Sequence, residues 1–465
     1  VDFVSADGIG AIDAIPELPL TGGKAQALSV KLDASKDEIR TSLKASTLDG
    51  VFAAVFSNVT GGVLLTNFFL EMNASPTQIG ILASIPMLCN LLQPLGAYFS
   101  EQTTSRHSYC LWIYSISRTL WLGLAIAIFW LGTSHQALLI PITLGIALAS
   151  SLLSSLGCAA WLSWLAALVP RQLRGRYFGF RNSAANLTNM ISVPLIGLMA
   201  SRWGGGSIQG YGVVLILAIG FGFISLGFQN YMVDVNPQDH RYLSIEKKAI
   251  EPDPAPPDEP LAADLIPPTP PAFWQDSNFL KFLFYFLFWT FSVNLSAPFF
   301  NVYLLDELGL DLSHVTLYNS LAAGANLLML MLWGKLADRI GNRPILLGVG
   351  IIFAIFPLLW LFTGVNSWSV WVLLPLLHCL SGGTSAAIDL CSNNLQLGIA
   401  PNRNPSTYFG VAAAVAGISG ALGTTAGGFF VQFGSGGLLG LFALSSILRL
   451  GALLPLVWVD EQQTV

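Results

Sequence analysis

Charge is scarce in this chain: Asp, Glu, Lys and Arg make up 10% of its 465 residues, against roughly 25% in an ordinary soluble domain. That leaves too few ionic side chains to solvate the surface of a water-soluble protein of this length, and no basic stripe offers a nucleic-acid footprint. Cysteine is scarce too. Cys89, Cys110, Cys158, Cys379 and Cys391 are scattered and form no C-x-x-C pair, which argues against a zinc site or a disulfide framework and makes them small packing residues. No G-x-x-x-x-G-K-[ST] sequence is present, so no phosphate-cradling loop couples the chain to ATP. G-x-S-x-G and H-E-x-x-H are missing as well, and neither enzyme chemistry, a metal nor a cofactor is expected. The first nineteen residues hold no Lys or Arg, unlike a secretory signal peptide.

Apolar residues, in contrast, make up 53% of the chain. They fall into runs long enough to cross a hydrocarbon core of about 30 Å, which takes about 20 helical residues. Six runs lie at residues 51–70, 79–99, 109–131, 137–169, 178–200 and 213–233, and six more at 279–305, 315–337, 345–363, 368–399, 408–433 and 438–459. A transmembrane barrel would show alternating segments of about ten residues instead, so the fold class is an all-α integral membrane protein with twelve spans. Pro86, Pro194, Pro298, Pro357 and Pro375 lie inside the runs and mark expected kinks, tolerated where neighbouring helices satisfy the freed carbonyls.

Twelve spans put both termini on one side. The segments on that side carry Lys44, Arg106, Arg171, Arg174, Arg176, Lys335, Arg339, Arg343 and Arg403, whereas the opposite loops carry only Arg202; the positive-inside rule makes the termini cytoplasmic. The chain then divides into a polar tail at 1–47, a six-helix half at 48–233, a linker at 234–276, a second half at 277–459 and a short tail at 460–465. The linker carries ten prolines, a composition that cannot bury a core.

The halves repeat one another. The loop after span 4, "VPRQLRGRYFG", and the loop after span 10, "APNRNPSTYFG", both place Tyr-Phe-Gly seven residues after a proline, at Pro170/Tyr177 and Pro401/Tyr408. The loop from Ala97 to Arg106 aligns without gaps with Gly334 to Arg343, setting Glu101 on Asp338. Asn58 and Glu71 of span 1 match Asn294 and Glu307 of span 7 at one offset.

On the loop "GKLADRIGNR" (Gly334 to Arg343), the twelve spans, the duplicated halves and the long central linker, the chain resembles the major facilitator superfamily. The resemblance implies a transporter in which Gly334 permits close helix packing and Asp338, Arg339 and Arg343 belong to a cytoplasmic latch. Asp338 is expected near the start of span 11, where Ser406 or Thr407 caps the helix and a carboxylate gains about 0.3 to 1 kcal/mol from the helix dipole. The same charges would also arise from topology alone. In the first half Ala97, Gln102 and Thr104 depart from the pattern, so Glu101 pairs either within its own latch or with an arginine among Arg171, Arg174, Arg176 and Arg181.

The resemblance also places the transport path between spans 1, 4, 7 and 10. Polar residues there form stripes at helical spacing: His378, Ser381, Ser385, Asp389 and Ser392 on span 10; Ser150, Ser154, Cys158 and Trp161 on span 4; Asn58 and Asn67 on span 1; Tyr285, Trp289, Asn294 and Asn301 on span 7. An ionised Asp389 inside a helix costs about 2.5 to 3.5 kcal/mol, so it either carries a coupling proton or pairs with Arg449. His378 titrates or serves the core; it is separated from Asp389 by about 16 Å of helical rise. Arg118 in span 3 either binds an anion or anchors a carboxylate, and Trp161, Trp164 and Trp289 either stack on a solute or pack.

The expected function is secondary active transport of a small organic solute, coupled to protons, by a monomer in a lipid bilayer such as a prokaryotic inner membrane. The alternative is an assembly or pigment-delivery factor of the same fold without solute flux.

Overall fold

A computed structural model describes residues 36–103, 105–131, 136–169, 174–234, 273–399 and 405–461. Residues 1–35, the linker core at 235–272, Pro170, Pro401 and residues 462–465 lie outside the described residues. Twelve helical segments have the length and hydropathy to span a membrane, and no strand occurs among the described residues. They are α1 (Asp37–Glu71), α2 (Pro76–Ser100), α3 (Arg106–Leu131), α4 (Ala137–Leu165), α5 (Phe180–Ser201) and α6 (Ser207–Gln229), followed by α7 (Ser277–Glu307), α8 (Leu312–Ile340), α9 (Asn342–Phe362), α10 (Ser369–Gln396), α11 (Tyr408–Phe433) and α12 (Gly437–Trp458).

The first helix begins inside the segment read as a polar tail. Its first turns bury Ser42, Leu43, Ala45 and Ser46 against the first half, and Tyr177 donates to Leu43 O at 3.2 Å, so tertiary contact overrides local polarity there. Helix α1 breaks at Thr60–Gly61, where Gly62 takes φ +58. Helix α7 breaks at Ala297–Pro298. Gly62 and Pro298 share the offset of the Asn58/Asn294 and Glu71/Glu307 pairs, so the repeat places the same bend in both halves by two different chemistries: glycine supplies the left-handed backbone and proline removes a donor. Pro86 and Pro357 are each followed by a 3-10 turn and Pro375 follows a wide π turn, whereas Pro194 sits in an uninterrupted helix.

Within the first half α1 packs on α5 and α6, and α3 on α4 and α6; within the second α7 packs on α11 and α12, and α10 on α8 and α9. Two long seams join the halves, α2 with α11 and α5 with α8. Both are closed at the end away from the termini. A Cβ added at Gly80 would stand 2.5 Å from Thr424 O, so the α2 and α11 backbones touch there, as small residues permit in a membrane. A Cβ at Gly324 would meet Met190 Sδ at 3.5 Å. Both seams then open toward the terminal end. Leu328 and Met331 lie within about 40° of Gly324 on the same helix face, yet they are 73% and 71% exposed. Further along α2, Leu95 and Tyr98 are 44% and 57% exposed.

The cores divide in the same way. Away from the termini one apolar cluster crosses between halves, from Val59, Phe68 and Leu124 to Phe299, Trp360 and Phe442. At the terminal end each half keeps a separate cluster, around Trp164 and Cys110 in the first and around Phe282, Leu346 and Leu395 in the second. The molecule is therefore a wedge, joined at one end and parted at the other.

The C-terminal segment closes the second half's terminal face. Glu461 accepts from the Asn342 and Arg343 backbone N–H groups at 2.7 and 2.9 Å and from Asn342 Nδ2 at 2.9 Å, acting as a remote cap for α9. Partial burial would raise its carboxyl, but these hydrogen bonds and the Arg343 charge outweigh that and hold it below the ordinary carboxylate range. The stabilisation is thus present above the unfolded value and lost as pH falls through the lowered one.

Two measurements check this packing. Gly80→Ala is expected to lower stability by about 1 to 3 kcal/mol through backbone overpacking, while Gly348→Ala, with nothing within 4 Å of the added carbon, leaves the thermal midpoint unchanged or raises it. Glu461→Gln is expected to lower the midpoint near neutral pH, and the gap to wild type is expected to narrow as pH falls through the lowered Glu461 value.

Candidate functional site

A cavity of about 420 Å³ opens in the first half, within the range of about 300 to 1,000 Å³ of small-molecule sites. Its described lining comes from α1 to α6 alone and combines hydroxyls, most of them on α3 and α4, with one acidic and two basic side chains and several aromatic rings. The hydroxyl wall follows from sequence spacing, because Ser150, Ser151, Ser154 and Ser155 recur on one stripe of α4. Ser117 of α3 donates to Ser150 O at 3.1 Å and lies 2.8 Å from Ser150 Oγ and 3.2 Å from Ser154 Oγ. Trp121 Nε1 donates to Ser150 Oγ at 2.9 Å. Beside them Asn90 Oδ1 of α2 accepts from Ser155 at 3.4 Å.

The charged wall holds Asp49, Arg118 and Arg181. Asp49 and Arg118 are both buried and meet through a third residue. Ser225 Oγ donates to Asp49 Oδ1 at 2.5 Å and accepts from Arg118 Nη2 at 3.2 Å, while Gln229 Nε2 also donates to Asp49 Oδ1 at 3.0 Å. Arg118 Nη1 donates to Gly222 O, and its guanidinium stands 5.7 Å from the Phe56 ring. One network thus fastens α1, α3 and α6 together. Arg181 lies 4.5 Å over the Trp161 ring and donates from Nε to Ser46 O at 3.3 Å; the space it fills is left by Gly50, where a Cβ would meet Nη2 at 2.9 Å.

Of the residues expected to bind substrate, Ser154 and Trp161 line this cavity; the others lie elsewhere. Asn58 crosslinks α1 to α5, donating to Asn189 Oδ1 at 2.9 Å and Ser192 Oγ at 3.2 Å. Asn67 is half-buried. Trp289 is buried in the second half's core between Tyr285 and Phe353. Asn294 donates to Thr290 O of its own helix at 2.8 Å. His378 is buried between the Tyr318 and Trp360 rings, and its Nδ1 donates to Leu374 O at 2.8 Å. Ser381 is half-buried, and Ser385 Oγ accepts from Asn326 at 3.2 Å.

Asp389 is exposed on α10 and makes no ion pair or side-chain hydrogen bond among the described residues. The pairing with Arg449 considered from the sequence is not formed. Arg449 is buried and donates instead to Phe353 O at 3.0 Å, Val293 O at 3.3 Å and Ser296 Oγ at 2.9 Å; Pro357 has no N–H to offer Phe353 O, which is left open to the guanidinium.

The stretch read as a loop between α8 and α9 continues α8 as helix to Ile340, with Gly341 alone before α9, and Asp338 and Arg339 are exposed in its last turn. Gly334 has room for a methyl, its nearest neighbour being Leu390 Cδ2 at 3.9 Å, so this conformation does not use it for close packing. Arg343 donates to Val457 O and holds the C-terminal segment. The side chains of Glu101, Arg171, Arg174, Arg176, Ser406 and Thr407 lie outside the described residues.

Sequence reasoning passed over Asp49, Arg181, Ser117 and Trp121. Asp49 precedes the first apolar run, which made it an edge residue, and Arg181 was considered only as a partner for Glu101. The available signal was Arg118: a lone arginine inside an apolar run demands a partner on a neighbouring helix.

A family model described as Major Facilitator Superfamily matches residues 50–424 and 279–464. The chain belongs to that superfamily. A search among curated proteins finds no match. Among solved structures this superfamily member resembles the D-xylose-proton symporter (TM-score 0.68, 14% identity, covering 92% of this chain and 99% of that one). It also resembles a bacterial homologue of the iron transporter ferroportin in its inward-facing state (0.64, 14%, 89% and 97%) and the xylose transporter XylE from E. coli in its inward open conformation (0.64, 14%, 92% and 97%). At these identities the likeness establishes the shared fold. Family and fold together make the protein a multi-pass membrane transporter.

Ser225→Ala removes the hydroxyl between Asp49 and Arg118 and leaves the carboxylate short of a donor. The expected loss is about 1 to 3 kcal/mol of stability, read as a lower thermal midpoint in detergent.

Proposed function

We propose that this superfamily member carries a small polar organic solute across the membrane by alternating access, coupled to protons through Asp389, working as a monomer in a prokaryotic inner membrane with both termini cytoplasmic. The observation that carries this reading is the wedge: one core shared by the halves at one end, two separate cores at the other, with a polar cavity on the parted side. With that orientation the parted end faces the cytoplasm, and transport requires the seams to close there and part at the opposite end. Rocking of one half against the other about a central site achieves this.

Coupling follows from desolvation. In the parted state Asp389 is exposed, and its ionised form keeps its water. Closing the terminal end would strip that water at a cost of about 2.5 to 3.5 kcal/mol for a charged carboxylate. A proton removes this cost, so the closed form takes up a proton with its solute. The exposed faces at Leu328, Met331, Leu95 and Tyr98 supply the opposing drive, since closure removes them from a wet cleft.

Two experiments test the reading. Leu187→Cys with Met331→Cys places thiols on the faces of α5 and α8 that part. Oxidant is expected to crosslink them in membranes and to abolish flux, with reductant restoring it; a pair that never crosslinks speaks against closure at this end. In proteoliposomes, Asp389→Asn is expected to abolish uphill accumulation driven by a pH gradient while sparing solute exchange. Normal accumulation in that variant removes Asp389 from the mechanism.

A further inference from the structure

The cavity in the first half has an uneven charge balance. Three of its lining side chains are acidic or basic: Asp49, Arg118 and Arg181. Asp49 and Arg118 are matched to each other through Ser225. Arg181 is different. Its direct contacts among the described residues are a backbone carbonyl and the Trp161 ring; Asp49 feels its charge at longer range, but no carboxylate stands within ion-pair distance of it among those residues. The Trp161 face fixes the plane of the guanidinium, and Gly50 makes room for its Nη2 end, so the group is held in place before any solute arrives. A fork held that way and half-buried recognises a carboxylate or phosphate in two-point fashion.

The rest of the wall narrows the class. A row of hydroxyls on α3 and α4 faces this cation across a cavity that also presents Trp121 and Tyr114. One unmatched cation favours one negative charge, and the hydroxyl row favours a solute with several hydroxyls of its own. Asp389, the negative group of the other half, is not part of this lining.

We propose that the cavity takes a hydroxylated organic anion of single charge, with Arg181 as the residue that binds its anionic group. The proposal rests on the transport reading only for what happens to the solute afterwards; the anion site itself is a property of the first half.

Cys158 lines the same cavity one helical turn from Trp161 and is half-buried, so it reports the local potential without a known substrate. In the purified full chain, the rate at which it is modified by anionic sulfonatoethyl methanethiosulfonate is compared with that by cationic trimethylammonioethyl methanethiosulfonate. Each rate is normalised to a free thiol in solution, and the Cys158 peptide is followed by mass spectrometry. The wild-type ratio is expected to favour the anion by about tenfold, a difference of about 1.4 kcal/mol between the two reagents. Arg181→Gln is expected to bring it near one and Arg181→Lys to retain most of it. A wild-type ratio of one means that another group already neutralises Arg181, and an unchanged ratio in Arg181→Gln places the potential elsewhere; either result overturns the proposal.

Binding of hexose-framed probes supplies the second arm. Gluconate is expected to bind at least tenfold more tightly than glucose, with the difference erased in Arg181→Gln, and glucose 6-phosphate separates phosphate from carboxylate recognition. Equal binding of glucose and gluconate overturns the proposal. If the thiol ratio and the gluconate preference hold while no solute crosses a bilayer, the transport reading fails and the anion site stands.

Discussion

A guanidinium inside an apolar helix bundle has to find its acceptors within the protein, because the hydrocarbon around it offers none. Each half of this chain is fastened by one such group. Arg118 reaches from α3 to Gly222 O and Ser225 on α6, and through Ser225 to Asp49 on α1. Arg449 reaches from α12 to Ser296 and Val293 on α7 and to Phe353 O on α9. The two arginines issue from helices that are not equivalent in the repeat, yet each ties the same trio, the first, third and sixth helix of its half. What the duplication preserves is the need to hold these three helices together, and each half meets it with its own chemistry.

That fastening makes each half a body that can move without unfolding. The contacts between halves are of another kind: small residues and apolar side chains at the α2–α11 and α5–α8 seams, with no arginine networks among the described residues. Such contacts slide and part at little cost because they leave no buried polar group unpaired. Polar bonds inside the halves and apolar contacts between them give the rigid-body hinge that alternating access requires.

The two polar regions differ in the same sense. The cavity in the first half is built from groups that satisfy one another, such as the Ser117–Ser150–Trp121 cluster, and so keeps its shape whether or not a solute is present. Asp389 has no such partner among the described residues, and in the proposed mechanism its environment changes as the terminal end opens and closes. A group whose solvation changes with conformation is suited to coupling; one held in place by its neighbours with donors to spare, as Arg181 is, is suited to recognition.

The twelve helices, the division into halves and the repeat were legible in the sequence, because bilayer thickness sets a length for apolar runs and duplication leaves matching positions such as Asn58 and Asn294. Kinks at Pro298 and Pro357 were legible for the same local reason, the missing N–H. The matching bend at Gly62 was not read, since glycine permits a bend without requiring one. The stripe on α4 was visible as spacing, and Ser154 and Trp161 do line the cavity. The stripe on α10 was equally visible, yet His378 is packed between aromatic rings, because periodicity identifies a face without saying what covers it. Asp49 and Arg181, which carry the charge of the cavity, stood at the margins of their runs and looked like topology. The sequence by itself determined the class, the spans and the family, all of which follow from local hydropathy and motif spacing. Only the tertiary structure decided which polar residues satisfy each other and which remain open to a solute, since that depends on side chains more than a hundred residues apart meeting across helices.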